Sequence, residues 1–160
     1  MLVVGLYSFT LDERDNVGRP DFYPIPRVEY YKRVLDKHFP TEECLVISDD
    51  PEWCKSEPFF DQDRFFVSES VDYYDHETLE GDGSMKKSAI PYVDLCLMSL
   101  CTDAIISNST LSWWGAWLQK NKDHKVVAPN PWFGDRLSHN DLSDLIPDGW
   151  IIENFEELGN

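Results

Sequence analysis

The chain has 160 residues, 42% of them hydrophobic and 14% aromatic, which suffices to bury one core and excludes a disordered chain. Thirty Asp and Glu against 14 Lys and Arg give a net charge of −16, which excludes nucleic acid and anionic membrane surfaces as expected partners, because both need clustered cations. No apolar run nears the ~18 residues of a membrane span, so none is expected.

The first element is "LVVGLYSF", Leu2 to Phe9, an apolar strand. It has neither a basic segment before it nor a small-residue cleavage site, so it is not read as a secretory leader. The loop "LDERDNVGRPDFYPIP" follows, rich in charge, Gly and Pro. In "VEYYKRVLDKHF", Val28 to Phe39, Tyr31, Val34, Leu35 and His38 recur at helical spacing. "CLVIS", Cys44 to Ser48, is a short buried strand, and Pro51 suits the first turn of a helix in "DDPEWCK". "RFFVS", Arg64 to Ser68, is a third strand, followed by an acidic loop from Glu69 to about Ser84.

"IPYVDLCLMSLC", Ile90 to Cys101, predicts a helix. "DAIIS", Asp103 to Ser107, is a fourth strand, "STLSWWGAWLQKN" a helix, and "KVVAP", Lys125 to Pro129, a fifth strand. "WIIENFEEL" closes the chain with a strand and a partial helix. The cysteines Cys44, Cys54, Cys96 and Cys101 lack CxxC spacing, which disfavours zinc. Free thiols fit a reducing, cytoplasmic setting, with Cys96 and Cys101 as small core hydrophobes.

Strands alternating with helices predict one α/β domain over residues 1–160, Rossmann-like, with a parallel sheet of about five strands flanked by helices. Ligands in such sheets sit beyond the carboxyl ends of the strands. There, "NST" joins the fourth strand to the next helix. A helix start offers unpaired N–H groups and a positive dipole end. With the hydroxyls of Ser109 and Thr110 it can cradle a phosphate without lysine. The competing reading is that these hydroxyls only cap the helix. Gly115 and Ala116 would let that helix approach the sheet closely.

Asp49 and Asp50 end the second strand on the ligand side, suited to sugar-hydroxyl contact or to capping. "DQD", Asp61 to Asp63, has the DxD form of metal-dependent sugar transferases and hydrolases, although an acidic chain produces such a triplet by chance. His38, His76, His124 and His139 show no metal-ligand spacing.

"DLCLMSLCTDAIISNSTLSWWGAWL" with "KVVAPNPWF" resembles the C-terminal signature of the alpha-1,2-fucosyltransferases, glycosyltransferase family 11. "VISDDPEWCK", "EYYKRVL" and "LIPDGWIIE" are similar to further segments of that family, in the same order, over roughly residues 28 to 153. The resemblance implies an enzyme that transfers fucose from GDP-fucose to a hydroxyl of a carbohydrate acceptor, with inversion and without metal or other cofactor. It implies one half of a two-Rossmann-domain cleft, the half that carries the donor. It places Asp94 against the guanine edge and Ser109 and Thr110 against the diphosphate, with Asn108 in the same turn.

One segment departs from the family. Where its members carry HxRRGD, this chain has "LYSFTLDERDN", with Arg14 as the nearby cation and Arg19 and Arg27 further on. Weaker phosphate clamping is therefore expected. The alternatives are a non-catalytic GDP-sugar-binding or partner module, a cleft completed by a second subunit, or a metal-dependent reaction using Asp61 and Asp63. The sequence assigns no catalytic residue.

Overall fold

The computed structural model describes residues 1–6, 21–69, 72–79, 85–89, 91–121 and 123–154. In chain order the elements are strand β1 (Leu2–Leu6), helix α1 (Val28–His38), β2 (Cys44–Ser48), α2 (Pro51–Ser56), β3 (Phe65–Val67), β4 (Asp72–Leu79), β5 (Met85–Ala89), α3 (Pro91–Leu100), β6 (Asp103–Ile105), α4 (Thr110–Trp117), β7 (Val126–Asn130) and β8 (Ile151–Asn154), with a 3-10 turn at Asp135–Leu137. Six strands form one sheet in the order β3-β2-β1-β6-β7-β8, and every pairing in it is parallel. This is a Rossmann-like arrangement in which the chain first builds outward from β1, then crosses to β6 and builds the other way.

The expected parallel sheet is present, with six strands among the described residues: the strand expected in the closing segment joins it as β8, with Val127 to Asn130 opposite Ile151 to Asn154. One expectation needs correction. Residues 69–84 are not simply an acidic loop: β4 and β5 pair antiparallel, with Asp72 opposite Ala89 and Asp75 opposite Lys86. The acidity hid adjacent tyrosines, Tyr73 and Tyr74, which favour a strand. The partial helix expected after β8 falls on residues 155–160, outside the described residues.

The inner strands β2, β1, β6 and β7 are largely buried on both faces, which is why they read as unbroken apolar runs. Leu2, Val4 and Val46 pack with Tyr30, Tyr31, Val34 and Leu35 of α1 on one face. Val3, Ile47 and Ala128 pack with Met98 of α3 and Ala116 of α4 on the other. Helix α4 is seated by its small residues, since Ser112, Gly115 and Ala116 are buried. A Cβ on Gly115 would lie 2.4 Å from Met98 Sδ, so Gly115 admits α3, while Ala116 meets the sheet-side core.

The tryptophans of α4 sit outside this seam. Trp113 is half-buried, donates its indole N–H to the Leu145 carbonyl at 2.8 Å, and stacks on Trp117 at 5.4 Å. Trp114 and Trp117 remain 47% and 51% exposed, so they are not core residues. Cys44, Cys54 and Cys101 are buried free thiols, whereas Cys96 is exposed and is not the core hydrophobe expected. It lies two residues from Met98 on α3, turned away from the sheet. Among the described residues, no helix is long and apolar enough to cross a membrane.

Candidate functional site

The neighbouring strands β1 and β6 lead to helices on opposite faces of the sheet, so a crevice opens at their carboxyl ends. Its floor is closely fitted. The Ser107 N–H donates to the Gly5 carbonyl at 3.1 Å, and the buried hydroxyls of Ser107 and Ser112 lie 3.3 Å apart. A Cβ on Gly5 would come within 2.8 Å of Ser112 Oγ. Gly5 therefore lets the first turn of α4 rest directly on β1. A glycine inside a strand is the sequence signal for such an approach.

Ser109 is the N-cap of α4, in extended geometry, and its carbonyl accepts from the Trp113 N–H at 2.9 Å. Its side chain makes no capping hydrogen bond. Thr110 is the first helical residue and is exposed. The turn thus brings a helix amino end and two hydroxyls to the crevice, and the Ser109 hydroxyl is not engaged in capping α4. Asn108 is differently engaged: its Nδ2 donates to the Pro24 carbonyl at 2.6 Å and to the Trp132 carbonyl at 3.1 Å.

Asp94 reaches the same edge by topology. Both α3 and α4 run antiparallel to the strands they connect, so they are parallel to each other and both begin at the carboxyl edge. They touch where Met98 meets Gly115. One turn earlier, on the same faces, stand Asp94 and Leu111. Asp94, half-buried in the first turn of α3, is therefore level with the first turn of α4.

The other candidates separate. Asp50 caps α2, its Oδ1 accepting from the Trp53 N–H at 2.9 Å, while its own N–H donates to Ser48 Oγ at 3.0 Å. Asp49 is exposed at the carboxyl end of β2, with the Ser48 hydroxyl donating to its Oδ1 at 3.5 Å. Burial pushes the neighbouring Cys54 thiol up to about 11, which leaves it protonated and inert. Asp61 and Asp63 are exposed in the turn before β3, at the amino edge of the sheet and thus the opposite end from the crevice. Among the described residues no group of three His, Cys, Asp or Glu could hold a metal ion.

Arg14 and nearly all of "LYSFTLDERDN" lie outside the described residues. Arg27 is described: it is the N-cap of α1, exposed, at the carboxyl edge. Arg27 lies further along the chain than Arg14, beyond the departing segment, and the roles of Ser107, Ser112 and Gly5 emerge only from the fold.

The model for Glycosyl transferase family 11 matches residues 23–154. The chain belongs to glycosyl transferase family 11. It is 33% identical over 133 residues to the O-antigen biosynthesis glycosyltransferase WbnK of Escherichia coli, covering 81% of this chain and 37% of that protein. It is 38% identical over 120 residues to an alpha-1,2-colitosyltransferase of Escherichia coli, covering 74% of this chain and 35% of that protein. The match therefore spans little more than a third of the length of each relative. No solved structure matches the family 11 chain. The matched interval contains Asp94, Asn108, Ser109 and Thr110 and begins beyond Arg14.

Proposed function

We propose that this family 11 chain binds a GDP-sugar at the crevice between β1 and β6 and takes part in metal-independent, inverting transfer of fucose from GDP-fucose to a carbohydrate hydroxyl. One observation carries the reading. The N-cap of α4 keeps its Ser109 hydroxyl out of the helix cap, at the switch point and level with Asp94. A diphosphate would sit on the α4 amino end, with Ser109 and Thr110 donating to its oxygens. Asp94 would accept from the guanine N–H groups. Transfer requires the departing GDP to be stabilised as its bond to the sugar breaks, and that term weighs heavily in the rate. Arg27 and Arg14 are the cations proposed for it, and the acceptor would enter from a second subunit or domain.

The second reading, a donor-binding module without turnover, is favoured by one fact: "LYSFTLDERDN" lacks the paired arginines of HxRRGD. Calorimetry with GDP, GDP-fucose, UDP and CMP, with Mg²⁺ or EDTA, tests both. GDP and GDP-fucose should bind, UDP and CMP should bind more weakly, and EDTA should change nothing. Equal affinity for GDP and UDP sinks the donor assignment. Because one relative is named for colitose, GDP-linked colitose belongs in the panel. Transfer to a sugar acceptor by the purified chain separates the enzyme from the module.

A further inference from the structure

Asn108 stands where three connections of the carboxyl edge meet: its own turn after β6, the segment entering α1, and the loop after β7. The latter two are short of backbone donors. "DFYPIPR" holds Pro24 and Pro26, and "PNPWFG" holds Pro129 and Pro131, none of which has an N–H. They are joined at one end by backbone bonds, Gly134 N–H to the Phe22 carbonyl and Arg136 N–H to the Asp21 carbonyl, both 2.9 Å. Tyr23 also sets its ring edge against Phe133 at 5.9 Å. At the other end, Pro24 and Trp132 are buried, and a buried carbonyl requires a donor.

We propose that Asn108 is a positioning residue: its amide, by donating to the Pro24 and Trp132 carbonyls, holds both loops and thereby fixes the turn that presents Ser109 and the amino end of α4. An asparagine amide has two hydrogens, and these two bonds occupy both. Its nitrogen is therefore not a donor to a bound diphosphate, and Asn108 acts through Ser109 and Thr110. Aspartate at this position would set a carboxylate against two carbonyl oxygens, and leucine would leave both without a donor. The link to binding rests on the function proposed above, whereas the clasp itself does not.

Two measurements on Asn108→Leu test it, with Asn108→Ala as the second variant should the first not fold. Amide hydrogen exchange should accelerate about tenfold at Gly134 and Arg136, with the amides of the central strands unchanged. GDP affinity should fall about tenfold, and Ser109→Ala should then cost much less than it does in the unaltered chain, since coupled residues are non-additive. Unchanged exchange at Gly134 and Arg136 overturns the clasp. The same penalty for Ser109→Ala in both backgrounds overturns its action on the turn. Failure of the unaltered chain to bind GDP sinks the proposed function and the binding role with it, while faster exchange would still establish the clasp.

Discussion

Helices α2 and α4 both begin at the carboxyl edge of the same sheet, yet their starts are built differently. Helix α2 is six residues long, buries only Cys54 among its side chains, and is held by the Asp50 carboxylate on the Trp53 N–H. Helix α4 buries Ser112, Gly115 and Ala116, and its N-cap hydroxyl makes no capping bond. A helix that packs poorly needs its cap, whereas one seated by packing can leave its amino end open to a ligand. Capping chemistry and ligand chemistry use the same residue types. What separates them is whether the helix is already held by something else.

The largest expected effect removes that packing. Gly115→Val would drive branched carbons into Met98, where even a Cβ would lie 2.4 Å from Sδ. Overpacking of this kind costs ~1–3 kcal/mol, and the upper end is expected here. Urea denaturation should show the loss, and Met98→Ala in the same chain should restore part of it. An unchanged midpoint for Gly115→Val would mean that α4 is not held by this contact. Next comes Asp94→Ala, which should weaken GDP binding by about 1.5–3 kcal/mol, the range for hydrogen bonds to charged groups, and shift UDP little. Titration of both nucleotides reads the difference, and equal losses for the two would dissociate Asp94 from the base.

The comparison itself is tested by a pair of substitutions with opposite signatures. Asp50→Ala should lower stability by about 1 kcal/mol, as loss of an N-cap does, and leave GDP affinity unchanged. Ser109→Ala should leave the melting temperature nearly unchanged, because no capping bond is lost, and weaken GDP binding. A drop in stability for Ser109→Ala without a change in affinity would return Ser109 to ordinary capping.

The inner strands of the sheet were legible because both of their faces are largely buried. "CLVIS" and "KVVAP" carry their burial in their composition, and Tyr31, Val34 and Leu35 mark the inner face of α1. The turn at Ser109 and Thr110 was legible as an apolar strand meeting small polar residues. What stayed hidden depends on partners remote in sequence. The carbonyl bonded by Asn108 belongs to a residue 84 positions away, and Gly115 is matched to a methionine on another helix rather than to the sheet. The half-exposed rings of Trp114 and Trp117 were illegible for a different reason, since hydrophobicity does not say which face a helix turns inward.

The smallest expected effect concerns how the two halves of the sheet are tied together. Glu153 of β8, in the second half, accepts at one oxygen from Lys37 Nζ at 2.5 Å, and His38 Nε2 lies 2.7 Å from the same oxygen, both residues at the end of α1 in the first half. Arg33 adds a hydrogen bond to the Asn154 carbonyl. The Lys37 hydrogen bond, opposed by burial and aided by His38, holds the Glu153 carboxyl below its ordinary range. A carboxyl depressed in the folded state binds fewer protons there than when unfolded, so its stabilisation is complete above the unfolded glutamate value. It declines as the pH falls below that value. Lys37 is 58% exposed, so solvent screening limits the contribution to about 1 kcal/mol or less. Melting temperature against pH should therefore fall less steeply on the acid side for Glu153→Gln than for the unaltered chain, with a slightly lower value at neutral pH. Parallel acid limbs for the two proteins would show that the ion pair adds nothing to the union of α1 with β8.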